Sequence, residues 1–188
     1  MRCLVCERFS LLHICKKCQK ELLQPILRKR ELIDNFFVYS FYDYSEIEEL
    51  LYTKYHYIGS YIYKILANNS LRKFAIEFHL DAGIVAIDDK ISQHGYSHTA
   101  ILAHSMKSKN LQLCRNTLWA SNSVSYAGKS LAFRLSNPRN FIYKGKKEDI
   151  ILVDDVVTTG TTLKEAYSVV KRAGANPLFA LVLADAKR

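Results

Sequence analysis

The chain has 188 residues, 49% of them hydrophobic, which suits one ordinary α/β domain with a small appendage, so we expect no second large domain. Its 27 Lys and Arg against 18 Asp and Glu give a net charge of +9, which favours a partner rich in phosphate or other anionic groups. No apolar run approaches the roughly 20 residues that cross a bilayer, and the start Met1-Arg2-Cys3 lacks the hydrophobic stretch of a secretory signal. We therefore expect a cytoplasmic protein without a transmembrane segment.

Four cysteines near the N-terminus form two Cys-x-x-Cys pairs, Cys3 with Cys6 and Cys15 with Cys18. Each pair sets two thiolates on one tight turn, and two such pairs are typical of a tetrahedral zinc site. Disulfide bonds are the alternative, but they are favoured in secreted chains, and nothing directs this chain outward. The pattern predicts a small module built around structural Zn²⁺. The remaining cysteine, Cys114, is expected to be a buried apolar side chain without a chemical role.

The segment after the cysteines predicts a junction. Four apolar residues fall at helical spacing in spite of Pro25: Leu22, Leu23, Ile26 and Leu27. This spacing indicates a connecting helix within residues 19–32. We accordingly divide the chain into a zinc module with its connecting helix, residues 1–32, and a larger domain, residues 33–188.

The larger domain alternates strand and helix patterns. In chain order they predict a strand at 36–41, helices at 46–51 and 60–67, a strand at 83–87, a helix at 99–109, a strand at 117–120 and a long polar excursion at 121–148. The clearest unit comes last, with a strand at 149–153, a turn at 158–162, a helix at 163–173 and a strand at 178–184. Such a βαβ unit implies parallel strands, so the expected fold class is α/β with a parallel sheet.

The first strand of that βαβ unit runs into two acids and a hydroxyl-rich turn that opens a helix. The residues in order are Asp154, Asp155, Val156, Val157, Thr158, Thr159, Gly160, Thr161 and Thr162. Open α/β sheets bind ligands at the carboxyl ends of their strands, where these two carboxylates can accept hydrogen bonds from ribose hydroxyls. The turn offers backbone N–H groups at the positive end of a helix, and Gly160 permits close approach, so we predict a monophosphate cradle.

Simpler or better-known loop types do not account for this segment. An ordinary strand exit with a Thr N-cap accounts for one acid and one hydroxyl and leaves the rest unexplained. A Walker A loop would need Gly-Lys-Ser/Thr, and a dinucleotide fingerprint would need three spaced glycines, neither of which is present.

Residues 150–162 resemble the signature of type I phosphoribosyltransferases that binds 5-phosphoribosyl-1-pyrophosphate (PRPP). The resemblance implies that Asp154 and Asp155 are the catalytic pair on the ribose 2- and 3-hydroxyls and that the following turn, through Thr162, holds the 5-phosphate. Mg²⁺ would accompany the pyrophosphate, which leaves the anomeric carbon through an oxocarbenium-like state. A basic group must meet the pyrophosphate, and Lys54-Tyr55 is the best-placed candidate, a solvated lysine being the alternative.

The order of motifs along nearly the whole chain resembles the ComF family. The order comprises the four-cysteine module, Lys54-Tyr55 ahead of Gly59, the strand at 84–87, Gly95-Tyr96 and the segment 154–162. That family has a type I phosphoribosyltransferase-like fold and is tied to natural competence. The resemblance implies a protein of natural transformation that binds PRPP and handles incoming single-stranded DNA in the cytoplasm, at the inner face of the membrane beside the DNA-uptake machinery.

The chain also departs from the usual ComF pattern. Where family members carry a Val-Pro-Val-Pro-like strand exit and an Arg-Gly-Phe-Asn-Gln segment, this chain has Val85-Ala86-Ile87-Asp88 and His94-Gly95-Tyr96-Ser97-His98. It keeps residues close to the family's flexible loop: Arg134, Asn137-Pro138 and Asn140-Phe141. Because of these departures, the sequence does not indicate an acceptor pocket. They lie outside residues 150–162, the segment that resembles the PRPP signature.

Three functions fit these motifs. The first is a competence protein whose basic stripe holds single-stranded DNA, a solvated basic face being the alternative. The stripe consists of Lys16, Lys17, Lys20, Arg28, Lys29 and Arg30. The second is an active phosphoribosyltransferase that transfers the sugar phosphate to a base or an amine. The third is a PRPP sensor whose ligand alters the binding of DNA or a protein partner.

Overall fold

The computed structural model describes residues 1–88, 90–91, 95–122, 130–146 and 148–187. His94, in a segment that departs from the ComF pattern, and the side chain of Arg134, which keeps to it, lie outside the described part of the chain. The strands are β1 Arg28–Ile33, β2 Phe36–Asp43, β3 Ala82–Ala86, β4 Leu111–Leu113, β5 Leu118–Ala120, β6 Phe141–Tyr143, β7 Asp149–Val157 and β8 Asn176–Asp185. The α-helices are α1 Lys16–Leu22, α2 Tyr44–Tyr52, α3 Gly59–Asn69, α4 Leu71–Glu77, α5 His98–Ser105, α6 Leu131–Ser136 and α7 Thr161–Arg172, with a 3₁₀ turn at Thr53–Tyr55.

A six-stranded sheet in the order β1-β2-β8-β7-β3-β4 forms the centre of the molecule. All neighbouring pairs are parallel except β1 with β2, which are antiparallel. Strands β5 and β6 form a separate antiparallel pair. This architecture, together with the N-terminal cysteine cluster, confirms the predicted α/β fold class with a mostly parallel sheet. In the described part of the chain, no helix combines the length and the apolar character needed to cross a membrane.

The two faces of β7 are buried against different helices. Successive side chains of a strand point to opposite faces, so Ile151 and Val153 join a core that includes residues of α3 and α5. Ile150 and Leu152 join the core on the other face, which contains the buried stripe of α7. That stripe consists of Leu163, Ala166 and Val170. Burial on both faces explains the continuous apolar run at 150–153.

Most predicted elements are present, and the strands and helix of the βαβ unit are confirmed. The predicted connecting helix within residues 19–32 is wrong, because α1 ends at Leu22 and Arg28–Ile33 is the edge strand β1. Pro25 lacks the backbone N–H that a continuing helix needs. Beyond it, burial alternates with the period of two that is typical of a strand. The domain division after residue 32 stays a prediction.

The polar excursion at 121–148 contains regular structure within its described parts, namely α6 and β6. Strand β6 pairs with β5, so the predicted strand at 117–120 is present but belongs to the small sheet. Glu165 of α7 accepts hydrogen bonds from the backbone N–H groups of Arg139 (3.0 Å) and Phe141 (3.4 Å). The start of β6 is therefore attached to the helix that follows β7.

Candidate functional site

The predicted phosphate cradle lies where β7 gives way to α7. The strand continues through both acids to Val157, further than the sequence predicted, and α7 begins at Thr161. Gly160 precedes the helix with φ +78°, a left-handed conformation that favours glycine. A Cβ at this position would lie 2.8 Å from Leu32 Cδ2, so a side chain here would also have to displace the end of Leu32. The first N–H groups of α7 lack partners within the helix and can therefore bind an anion.

Arg30 of β1 holds this turn in place. Its guanidinium donates to the carbonyl oxygen of Thr158 (3.0 Å) and to both carboxylate oxygens of Asp185 (2.5 and 3.1 Å). Asp185 is buried at the end of β8. Sequence reasoning missed this role and assigned Arg30 to a DNA-binding stripe. Nothing local to Arg30 in the sequence indicates this role, because its partners lie 128 and 155 positions further along the chain.

Asp155 points into the molecule and has partners from three elements. Its Oδ2 lies 2.8 Å from Lys54 Nζ and 3.6 Å from His98 Nε2. The same oxygen is 3.1 Å from the hydroxyl of Tyr63, which can donate to it or to the Leu51 carbonyl at the same distance. The predicted residues Lys54 and Asp155 are thus brought together, although Lys54 is directed at a carboxylate.

Asp154 has a different environment from its neighbour. It is half-buried, whereas Asp155 is only 6% exposed. Its Oδ1 accepts a 2.8 Å hydrogen bond from the backbone N–H of Asp155, and Asp155 Oδ1 in turn accepts one from Val156 at 2.8 Å. Asp154 is therefore the acid of the pair with access to a ligand at the sheet edge.

The pKa values of the two carboxyl groups are shifted in opposite directions. Burial and the adjacent Asp155 charge raise the pKa of Asp154 well above its usual range. Burial opposes ionisation of Asp155, but the Lys54 ammonium and His98 hold the pKa of Asp155 below its usual range. Burial also lowers the pKa of His98. At neutral pH the inner group is therefore an ion pair of Asp155 with Lys54, and Asp154 is the carboxyl more easily protonated.

Tyr96 supports the backbone that carries Lys54. Its hydroxyl lies 3.1 Å from the Lys54 carbonyl oxygen and 3.2 Å from that of His56. A Cβ on Gly59 would overlap this hydroxyl and the Thr53 carbonyl. The predicted neighbour Tyr55 is 42% exposed, with its ring centroid 5.5 Å from Lys54 Nζ. Tyr63 and His98 were not predicted, because nothing local to them indicates a carboxylate partner.

The four N-terminal cysteines converge on one point. Their Sγ atoms all lie within 4.8 Å of one another, and Cys6 Sγ is 3.8 Å from Cys15 Sγ. A tetrahedral zinc with Zn–S bonds of about 2.3 Å would hold its sulfurs about 3.8 Å apart. The cysteines are free, and Cys3 and Cys18 are buried. The donor set therefore suits a metal such as zinc.

Comparisons with curated proteins give two local matches. The transcriptional regulator GfcR of Methanosphaera stadtmanae is 48% identical over 42 residues, covering 22% of this chain and 21% of that protein. An orotate phosphoribosyltransferase of Coccidioides immitis is 36% identical over 75 residues, covering 38% of this chain and 31% of that protein. The matches thus span between about a fifth and a third of these relatives' lengths. No family model matches the chain.

The chain is also similar to solved phosphoribosyltransferase structures. An adenine phosphoribosyltransferase has 14% identity and a TM-score of 0.41, with 88% of each chain covered. The Trypanosoma brucei enzyme has 13% identity and a TM-score of 0.43, with 86% and 87% covered. The orotate enzyme of Aeropyrum pernix has 18% identity and a TM-score of 0.36, with 90% and 80% covered. Similarity at this level assigns no substrate and no activity to the chain.

Proposed function

We propose that the chain is phosphoribosyltransferase-like and binds PRPP with Mg²⁺ at the junction of β7 and α7. The proposal rests on one observation. The half-buried Asp154 is followed closely by Gly160 in a left-handed conformation, and α7 then begins with backbone N–H groups that have no partner within the helix. The sugar hydroxyls would meet the acid, and the 5-phosphate would lie against the N–H groups of residues 158–162. The local likeness to an orotate phosphoribosyltransferase supports the same class of ligand.

The two acids then have separate roles. Asp154 accepts hydrogen bonds from ribose hydroxyls, and its raised pKa suits a group that exchanges hydrogen bonds with them. Asp155 holds the Lys54 ammonium at the same edge of the sheet, where it can approach the pyrophosphate. Mg²⁺ would neutralise pyrophosphate charge and would be held mainly by substrate oxygens and water.

Asp154→Ala is expected to weaken PRPP binding by about 10- to 100-fold, because a hydrogen bond to a charged group contributes about 1.5–3 kcal/mol. Titration calorimetry with PRPP and Mg²⁺ measures the change. Asp149→Ala is the matched control, since Asp149 is an exposed acid at the opposite end of the same strand. The proposal fails if wild-type protein does not bind PRPP, or if both variants bind it alike.

We further infer that the protein serves natural competence and handles single-stranded DNA in the cytoplasm, at the inner face of the membrane and beside the DNA-uptake machinery. Exposed tyrosine rings support this finer assignment. Tyr52, Tyr55, Tyr57 and Tyr61 are 42–74% exposed, and Tyr61 lies against His13 with ring centroids 4.7 Å apart. Exposed aromatic rings beside basic side chains are what single strands bind.

The basic stripe contributes less to this surface than its sequence suggested. Arg28 pairs with Asp43, and Arg30 is occupied by Asp185 and Thr158. Lys17 lies 3.8 Å from Glu21. Lys16 and Lys20 are exposed on α1 and supply positive charge on a helix whose Gln19 is hydrogen-bonded to Asn69 of α3.

We expect the affinity for a fluorescent oligothymidine to fall steeply with added salt, because phosphate contacts release counterions. Tyr57→Ala should lower the binding free energy by about 1–3 kcal/mol, the contribution of one stacked base. Tyr57→Phe is the matched control, since it keeps the ring. Fluorescence anisotropy between low and high salt measures both effects. Absent or salt-independent binding would refute the DNA assignment.

A second candidate is an active phosphoribosyltransferase that transfers the sugar phosphate to a base or an amine. A cavity of about 500 Å³ beside the carboxyl ends of β3 and β4 favours it, because a transferase needs room for an acceptor next to the sugar. Pyrophosphate release from PRPP in the presence of an acceptor would establish turnover. PRPP binding without release across a broad acceptor panel would leave the binding function alone.

For the four-cysteine cluster we propose a structural Zn²⁺. Four thiolates fill a tetrahedral shell and leave no open position for catalysis. Zinc would therefore hold residues 1–20 in their fold and take no part in chemistry at β7.

A further inference from the structure

A cavity of about 500 Å³ lies alongside α5, within the size range of small-ligand sites. One wall is a face of α5 that includes Ala100 and Ile101, and the ends of two strands, Ala86 of β3 and Leu113 of β4, contribute the apolar floor. The helix wall and both strand ends present small or aliphatic side chains. These side chains can contact the apolar face of a ring.

Three basic side chains line this cavity, beside the neutral polar residues Ser97, Ser105 and Asn116. Lys64 comes from α3, His104 from α5 and Arg115 from the segment after β4. The described lining residues include no Asp or Glu. Cations from separate elements at one apolar cavity, with no carboxylate beside them, favour a ligand with negative charge. An arginine also offers the planar fork that matches a carboxylate.

The cavity adjoins the proposed sugar site. Ala86 pairs in register with Val153, the residue before Asp154, and neighbouring strands lie about 4.8 Å apart. Tyr96 contributes to the lining, and its hydroxyl lies 3.1 Å from the carbonyl oxygen of Lys54, whose ammonium contacts Asp155. A ligand in the cavity would thus lie one strand away from the ribose.

We propose that the cavity is the acceptor site and that it binds a planar ring that bears a carboxylate. The acceptor role rests on the proposed PRPP function, whereas binding of the ring carboxylate does not. In the transfer, a ring nitrogen lone pair forms the bond to the anomeric carbon as the bond from that carbon to the pyrophosphate oxygen breaks. Pyrophosphate leaves with the electron pair, and a proton on the attacking nitrogen passes to water.

Two isosteric pairs of probes test the charge requirement: nicotinate against nicotinamide, and 2-naphthoate against 2-naphthamide. Titration calorimetry and ligand-observed NMR on the full chain should show each carboxylate binding at least tenfold more tightly than its amide. Arg115→Gln and Lys64→Gln should each weaken carboxylate binding by tenfold or more. Lys73→Gln, an exposed lysine of α4 outside the cavity, should leave it unchanged. Ala100→Phe should abolish binding of either probe by filling the space.

The outcomes separate the two proposals. PRPP binding without carboxylate binding, or equal binding of carboxylates and amides, overturns the cavity proposal and leaves the PRPP site intact. Carboxylate binding that depends on Arg115 without PRPP binding supports the anion site and overturns the proposed function and the acceptor role together. Pyrophosphate release from PRPP and Mg²⁺ that requires a bound ring carboxylate supports the acceptor role, and its absence across the panel overturns that role.

Discussion

Lys54→Met is expected to lower the free energy of unfolding by about 3 kcal/mol at pH 7, the low end of the range for breaking a buried ion pair. The low end applies because the Lys54 side chain is still 24% exposed, whereas that of Asp155 is 8% exposed. The variant leaves the Asp155 carboxylate at the edge of the core beside a second acid. Urea unfolding measures the loss, and Lys73→Met, on the exposed face of α4, is the matched control.

This loss should shrink as the pH falls. In wild type the pKa of Asp155 lies below the ordinary value of about 4, so its pairing stabilises the fold fully above that value and is lost as the pH falls below it. Without Lys54, burial and Asp154 raise the pKa of Asp155, so the variant becomes more stable as this carboxyl is protonated, whereas wild type becomes less stable. Unfolding at pH 7 and pH 4.5 should therefore give a smaller difference at pH 4.5. An equal difference at both values would mean that Lys54 stabilises the fold only by packing.

The strand exit and the glycine turn at residues 150–162 could be predicted from sequence because the pattern that specifies them is local. One strand, two acids and a glycine turn are contiguous, so the order of residue types specifies both the strand exit and the helix start. The surroundings of Asp155 could not be read in the same way. Tyr63 lies on α3 and His98 on α5, 35 positions apart in sequence, and no local pattern indicates that their side chains will meet at one carboxylate.

The segment that forms β1 illustrates a second limit. Apolar residues on both sides of Pro25 matched a helical period, although they belong to the end of α1 and to the approach to β1. Once Arg28–Ile33 is a strand, Arg30 and Leu32 point to the same face and reach the turn at Thr158 and Gly160. A residue that looked like surface charge is thereby part of the support of the candidate site.

The cysteine module shares its core with the larger domain. Cys3, Ile14, Cys18 and Leu23 are buried in the same cluster as residues of α2, α3 and α5. Asn69 of α3 donates a 3.1 Å hydrogen bond to Gln19 of α1. Loss of order among the cysteines would therefore expose apolar surface of both parts, and the effect of the metal should extend beyond residues 1–20.

Cys18→Ser is accordingly expected to lose zinc and to lower the free energy of unfolding of the whole chain by several kcal/mol. Structural zinc contributes roughly 10–16 kcal/mol of apparent binding free energy in small zinc peptides, and part of that stabilises the fold here. Elemental analysis should find one zinc per wild-type chain, and a strong chelator should lower Tm as the mutation does. The matched control is Cys114→Ser, because Cys114 is a half-buried cysteine outside the cluster, 3.5 Å from Glu148. If Cys18→Ser retained zinc, or if removing the metal left Tm unchanged, the cluster would not be the structural centre of this part of the chain.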